Sequence, residues 1–101
     1  MVVKCFERHI NTIEVMVALE GDSIICVGKQ SACEEEEIER VQAFYIKQGE
    51  GFVMNEGIWH WAPYPVNSME SKFLIMFKLG TEDNDLEVKH LSNEIKVNIN
   101  I

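Results

Sequence analysis

The chain never sustains an apolar 3.6-residue repeat long enough for a packed helix. Its apolar residues come in short runs cut by glycine, proline, asparagine and aspartate. This excludes a helical bundle and leaves a succession of short strands. Val2–His9, Ile13–Leu19, Ser23–Val27, Val41–Ile46 and Lys72–Leu79 carry the β-branched and aromatic residues that suit a pleated, half-buried surface. Asn11-Thr12, Glu20-Gly21-Asp22 and Asp83-Asn84-Asp85 punctuate them, and Ser23–Val27 reads as the returning strand of a hairpin. The alternating tail Ile95–Ile101 is expected to form an edge strand. Residues 1–101 are expected to be one domain, all-β, a barrel or sandwich, with no internal repeat and no low-complexity linker.

One stretch stands apart. Gln48–Tyr64 holds three of the six glycines, both tryptophans, one of the two prolines and the histidine flanked by aromatic residues. Gly49 and Gly51 predict one turn and Asn55-Glu56-Gly57 a second, so that two turns frame His60. In an extended segment Ile58 and His60 share one face, and Trp59 and Trp61 the other. Pro63 and Pro65 are expected to end regular pairing, since neither donates to a ladder.

Charge narrows the function classes. Nine Lys and Arg against seventeen Asp and Glu give a net charge of −8, which repels phosphate backbones and anionic lipid surfaces. Nucleic-acid and membrane partners are therefore not expected, and no apolar run approaches the length of a membrane span. Cys5, Cys26 and Cys33 are odd in number with no paired spacing, which speaks for reduced thiols and a cytoplasmic location. Glu34–Glu37, within the segment Lys29–Arg40, reads as a solvated charge run.

The chemistry-bearing residues are few. Val3, Cys5, Glu7 and His9 would share one face of the first strand, which ends in two groups able to ligate a metal. Glu14 is a carboxylate inside an apolar strand and must be solvated, paired or metal-bound if it faces the interior. Each also has a structural reading: His60 as a hydrogen-bonded core histidine, His9 as an exposed strand end, Glu7 as solvated beside Arg8. His90, among polar neighbours, reads as surface.

Spacing joins them. Glu7-x-His9, four residues, Glu14, six residues and Gly21 resemble the first cupin motif; Gly49, five residues, Asn55-x-Gly57, two residues and His60 resemble the second. The resemblance implies a small double-stranded β-helix, or jelly-roll barrel, with core motifs at 7–21 and 49–64. It also implies Glu7, His9, Glu14 and His60 as a ligand set for a divalent ion such as zinc, manganese, iron or nickel. Glu7, Asn55 and Tyr64 depart from the usual cupin residues at their positions.

A narrower resemblance covers most of the chain, from about Phe6 to Val88. Phe6-Glu7-Arg8-His9, the segment Gln42 to Val66 with its Trp59-His60, and the acidic turn from Gly80 to Val88 are similar to the ureidoglycolate lyase family. Asn55 is the departure from general cupins that this family shows. The resemblance implies release of urea and glyoxylate from ureidoglycolate, a step of purine and allantoin breakdown. His60 and Glu14 would be the acid/base pair, and Glu7 and His9 would position substrate or metal. Asn55, Trp59, Tyr64 and Lys78 would contact substrate, with Arg8, Lys78 or Arg40 meeting its carboxylate. Family members usually carry a substantial segment ahead of the first motif, which here arrives at Glu7, so the expectation is either a minimal relative with the lyase activity or a stand-alone cupin that kept the scaffold and changed its ligand.

Two other readings compete: a non-catalytic cupin holding a small sugar or organic acid, and a degenerate cupin whose interior polar residues satisfy one another. The partners expected are a small-molecule substrate and a second copy of the chain in a homodimer that covers apolar strand ends.

Overall fold

The structure, a computed structural model, describes residues 2–29 and 39–96, with the backbone alone at 39, 40, 92, 93 and 95. Cys33, the Glu34–Glu37 run, the Arg40 side chain and the tail beyond Lys96 lie outside the described residues. The described chain is β1 (Val2–Arg8), β2 (Glu14–Glu20), β3 (Ser23–Lys29), β4 (Glu39–Ile46), β5 (Gly51–Met54), β6 (Trp59–His60), β7 (Tyr64–Pro65), β8 (Lys72–Met76), the short helix α1 (Thr81–Asn84) and β9 (Glu87–Lys96). The larger sheet runs β4-β3-β6-β1-β9, with β7 also on β3, and the smaller runs β5-β2-β8. All pairings described are antiparallel. Two sheets of short antiparallel strands make the all-β, cupin-type architecture expected from the sequence.

Period-two alternation sets the layers. In β2, Glu14, Met16 and Ala18 are buried while Val15 and Val17 are only partly covered. Along β3 every residue from Ser23 to Cys26 is buried, as befits a strand with neighbours on both sides and cover on both faces. Ile25 joins Met16 and Met54 in one core cluster, and its neighbour Cys26 joins Val3, Phe6 and Trp59 in another. Successive residues of a strand point to opposite faces, so the larger sheet carries apolar packing on both. Completely covering a side chain such as Phe6 is worth about 1.5–3 kcal/mol over leaving it exposed.

Four readings need correction. β2 and β3 are not a hairpin, because they belong to different sheets. Gly21, at φ 80°, turns the chain from one sheet to the other, a conformation glycine adopts without a Cβ penalty. Pairing also survives Pro63, since Ser23 pairs with Pro65 and Ile24 with Tyr64; proline forfeits only its donor, and its carbonyl still accepts. The last described strand begins at Glu87, well before the apolar tail. Finally, Val3 is buried together with Phe6, and the register of β1 against β9 shifts between Val3 and Cys5. Strict alternation from Val3 to His9 therefore fails at this irregularity.

The registers define one row of paired positions across the larger sheet, buried at His60 and exposed at both ends. Gln42 pairs with Val27, Val27 with His60, His60 with Glu7, and Glu7 with Val88. In the smaller sheet Glu14 pairs with Met54.

Candidate active site

Four polar side chains converge where the two sheets face each other. Glu7 comes from β1, His60 from its pairing partner β6, Glu14 from the start of β2, and His9 from the residue just after β1. His60 Nε2 lies 3.1 Å from Glu14 Oε2 and 3.5 Å from Glu7 Oε1, and His9 Nε2 lies 3.8 Å from Glu14 Oε2. The two imidazole centroids are 5.3 Å apart, and Phe77 packs edge-on against His9 at 5.9 Å. His9, Glu14 and His60 are buried, whereas the Glu7 side chain retains 31% exposure and forms the solvent-facing side of the group.

Backbone carbonyls orient both rings. His9 Nδ1 is 2.7 Å from the Asp85 carbonyl oxygen and His60 Nδ1 is 3.0 Å from that of Ile58. A carbonyl can only accept, so each Nδ1 carries the proton, and in the neutral rings each Nε2 presents a lone pair to the Glu14 carboxylate. His9 Nε2, His60 Nε2 and Glu14 Oε2 are all buried with no well-aligned hydrogen-bond partner among the described residues. Three acceptors facing one another repel unless a proton, a cation or a ligand donor sits between them. Burial pushes the His60 imidazolium toward lower pKa, but Glu14, the Ile58 carbonyl and Glu7 outweigh it and hold His60 above its usual value.

The Asn55–Gly57 turn fixes the approach to this group. Gly57 takes φ 77° and its N–H donates to the His9 carbonyl at 2.7 Å, tying the second motif to the end of β1. Asp85 ties the other side. Its carboxylate accepts from the Ile10 and Asn11 amides at 2.8 and 2.9 Å and from the Thr12 hydroxyl at 2.8 Å, while its carbonyl receives His9. The sequence reading placed Asp85 only in a turn. Its partners lie more than seventy positions away, a separation that no local pattern signals.

The remaining candidates are spread more widely. Asn55 lines a cavity together with Met54 and Ile58, and none of Glu7, His9, Glu14 or His60 lines it. Trp59 packs instead on the opposite face of β6 from His60, with Val3, Phe6 and Cys26, and the Arg8 guanidinium stacks 4.5 Å above it. Arg8 also pairs with Glu87 at 2.7 Å, so its charge is engaged away from His60. Tyr64 packs against the Trp59 cluster and donates its hydroxyl to the Val2 carbonyl. Lys78 is exposed just ahead of α1, and His90 is exposed on β9.

Glu7, His9 and His60 each offer one donor atom, and these lie within 4.8 Å of one another. Two neutral imidazole nitrogens with free lone pairs and a carboxylate fit a divalent ion of the zinc, manganese, iron or nickel kind. The unpartnered Nε2 atoms are what such a donor set looks like, although the same atoms also serve proton transfer.

The family model for ureidoglycolate lyase matches residues 1–98. No curated protein matches. Among the described residues, no helix is long and apolar enough to cross a membrane.

Proposed function

The chain belongs to the ureidoglycolate lyase family, which supports a lyase-like function of that general kind in purine breakdown, and from this premise we propose that it cleaves ureidoglycolate to urea and glyoxylate. The observation that carries the reading is the buried 3.1 Å approach of His60 Nε2 to Glu14 Oε2. Two acceptors at that distance share a proton, which makes them an acid and a base poised side by side. Glu14 takes the proton of the substrate hydroxyl as the carbon–oxygen bond becomes a carbonyl. The carbon–nitrogen bond breaks, and His60 protonates the departing urea nitrogen. Glu14 then returns its proton to His60 across the same short gap, so the pair ends as it began.

Glu7 and His9 complete the group. His9, oriented by Asp85, borders the base, and Glu7 faces the entrance, where it accepts from the urea N–H groups. If a divalent ion is held, Glu7, His9 and His60 would hold it in place of the proton on His60 Nε2, and it would supply Lewis-acid polarisation of a substrate oxygen instead of His60 acting as the acid. We further propose a cytoplasmic enzyme and a homodimer formed along the β9 edge of the larger sheet, whose monomeric mass in solution scattering would exclude the dimer.

The test is glyoxylate release from ureidoglycolate by the purified protein, with and without a chelator, beside the His60→Ala variant. Release that His60→Ala abolishes supports the lyase reading. No release with divalent ions supplied removes it and leaves a binding cupin.

A further inference from the structure

His90 reads as surface in the sequence, and the register of β9 gives it a second meaning. From Cys5 to Arg8 the pairing of β1 with β9 is regular, so that Cys5 opposes His90 and Glu7 opposes Val88. Paired residues of an antiparallel ladder share a face, and alternate residues repeat it. Cys5, Glu7, Val88 and His90 therefore stand on the face of the larger sheet that carries His60. His90 is the diagonal neighbour of Glu7, which separates the two positions by about 7–8 Å. No ion pair joins them among the described residues, and a ligand group fits between one side chain that accepts and one that donates.

The polar group opens toward this strand. Glu7 keeps its exposed side there, its partner Val88 is 49% exposed, and Phe77, whose ring meets His9, is 38% exposed. An anion entering at this point must find a donor, because Glu7, Glu14 and a net charge of −8 all oppose it. Most cations are placed elsewhere. Arg8 stands on the opposite face, stacked on Trp59 and paired with Glu87, and Lys89 opposes the buried Phe6 and points the same way. Lys4 pairs with Glu94, and Lys72 with Glu20. Among the described residues around Glu7 on its own face, the imidazole of His90 is the nitrogen donor that no other side chain engages.

We propose that His90 is the carboxylate-binding residue of this site, donating a ring N–H to the substrate's carboxylate while Glu7 accepts from its ureido N–H groups, so that the two select a ureido acid over a neutral urea. This rests on the reading of the His60–Glu14 pair as the reactive centre. The carbinol carbon of ureidoglycolate carries hydroxyl, nitrogen and carboxylate on separate bonds. With the hydroxyl at Glu14 and the nitrogen at His60, the carboxylate is the substituent left to point out to the opening, where His90 stands. A charge-assisted hydrogen bond there fixes the orientation of the carbon that reacts. His90 thereby takes the place expected of Arg8, Arg40 or Lys78.

The test is calorimetric binding of oxalurate and acetylurea, beside ureidoglycolate turnover. The two probes share a ureido-carbonyl head and differ in carrying a carboxylate or a methyl group, and neither has the hydroxyl proton that the reaction removes. His90→Ala is expected to weaken oxalurate about 10- to 100-fold, the worth of one hydrogen bond to a charged group, and to leave acetylurea unchanged. KM for ureidoglycolate rises by a similar factor, and the melting temperature holds because the position is exposed. His90→Gln, which keeps an N–H donor, restores most of the affinity. Equal weakening of both probes, no oxalurate binding by the wild type, oxalurate binding indifferent to His90→Ala, or a loss that appears in Lys78→Gln instead overturns the proposal. Glyoxylate release with an unchanged KM in His90→Ala removes His90 and keeps the lyase reading; oxalurate binding that depends on His90, without any glyoxylate release, does the reverse.

Discussion

Glu14 and His60 belong to different sheets, yet their Oε2 and Nε2 atoms stand 3.1 Å apart in the buried interior. Neither atom has an aligned hydrogen-bond partner among the described residues, so the closure of the barrel itself holds two acceptors together. A fold selected for stability alone gains nothing from such a pair, because replacing a buried polar group by a satisfied or apolar one is commonly neutral or favourable.

Glu14→Gln separates chemistry from stability. The amide of glutamine donates to His60 Nε2, satisfying both atoms, and it cannot accept the substrate proton. The expected outcome is an unchanged or raised melting temperature with glyoxylate release lowered about 10²- to 10⁴-fold. Loss of activity through unfolding would show as a lowered melting temperature and would remove Glu14 from the acid/base role. An unchanged rate would mark the group as structural filling.

Divalent-ion binding is read without any substrate. An ion held by Glu7, His9 and His60 binds the folded chain alone, and at a hundred times its dissociation constant it adds about 2.7 kcal/mol of stability. For a domain of this size that raises the melting temperature by roughly 10–20 °C. Zinc, manganese, iron(II) and nickel are titrated in turn, and His9→Ala is expected to abolish the shift. A shift that survives in His9→Ala places the ion elsewhere.

The motif residues were legible because each motif is local in sequence. Glu7, His9 and Glu14 lie within eight positions of one another, and the irregularity in β1 falls between Val3 and Cys5, ahead of them. The β2–β3 corner was not legible, since a glycine-centred turn between two apolar strands looks alike whether it closes a hairpin or crosses between sheets. β9 escaped notice for another reason. Glu87, Lys89 and Glu94 give it the charged character of an edge strand, which hides the β pattern. The cavity was invisible because its walls come from β3, β4, β5 and the turn after it, and only the registers bring Phe44 and Ile25 side by side.

Phe6 joins the fold to the site through its neighbour Glu7. Its side chain is fully buried with Val3, Cys26 and Trp59, on the face of β1 opposite Glu7. Phe6→Ala is expected to cost about 3–5 kcal/mol in denaturant unfolding, a large part of the stability of a domain this small. A cost below about 1 kcal/mol would mean that this second apolar layer contributes little.

The acid limb of the stability curve should belong in part to Asp85. Burial pushes its carboxyl pKa up, but the bonds from Thr12, Asn11 and Ile10, with His9 nearby, outweigh that and hold it below the ordinary carboxylate value. A carboxylate whose folded pKa lies below its unfolded one binds fewer protons when folded. Its contribution is therefore complete above the unfolded value and is lost as pH falls through the folded one. Asp85→Asn keeps one accepting oxygen and removes the charge, so it is expected to lower stability at neutral pH and to flatten the decline in acid. The loop it holds carries His9, whose Nδ1 donates to the Asp85 carbonyl. Glyoxylate release should therefore fall with the loop's order, most of all through a raised KM, while Asp83→Asn, at an exposed position two residues away, leaves both the stability profile and the rate unchanged. Parallel denaturant titrations of the wild type and the two variants between pH 3 and pH 7, a window set about the usual carboxylate range, decide it: superimposable curves for wild type and Asp85→Asn would strip Asp85 of its part in anchoring the first motif.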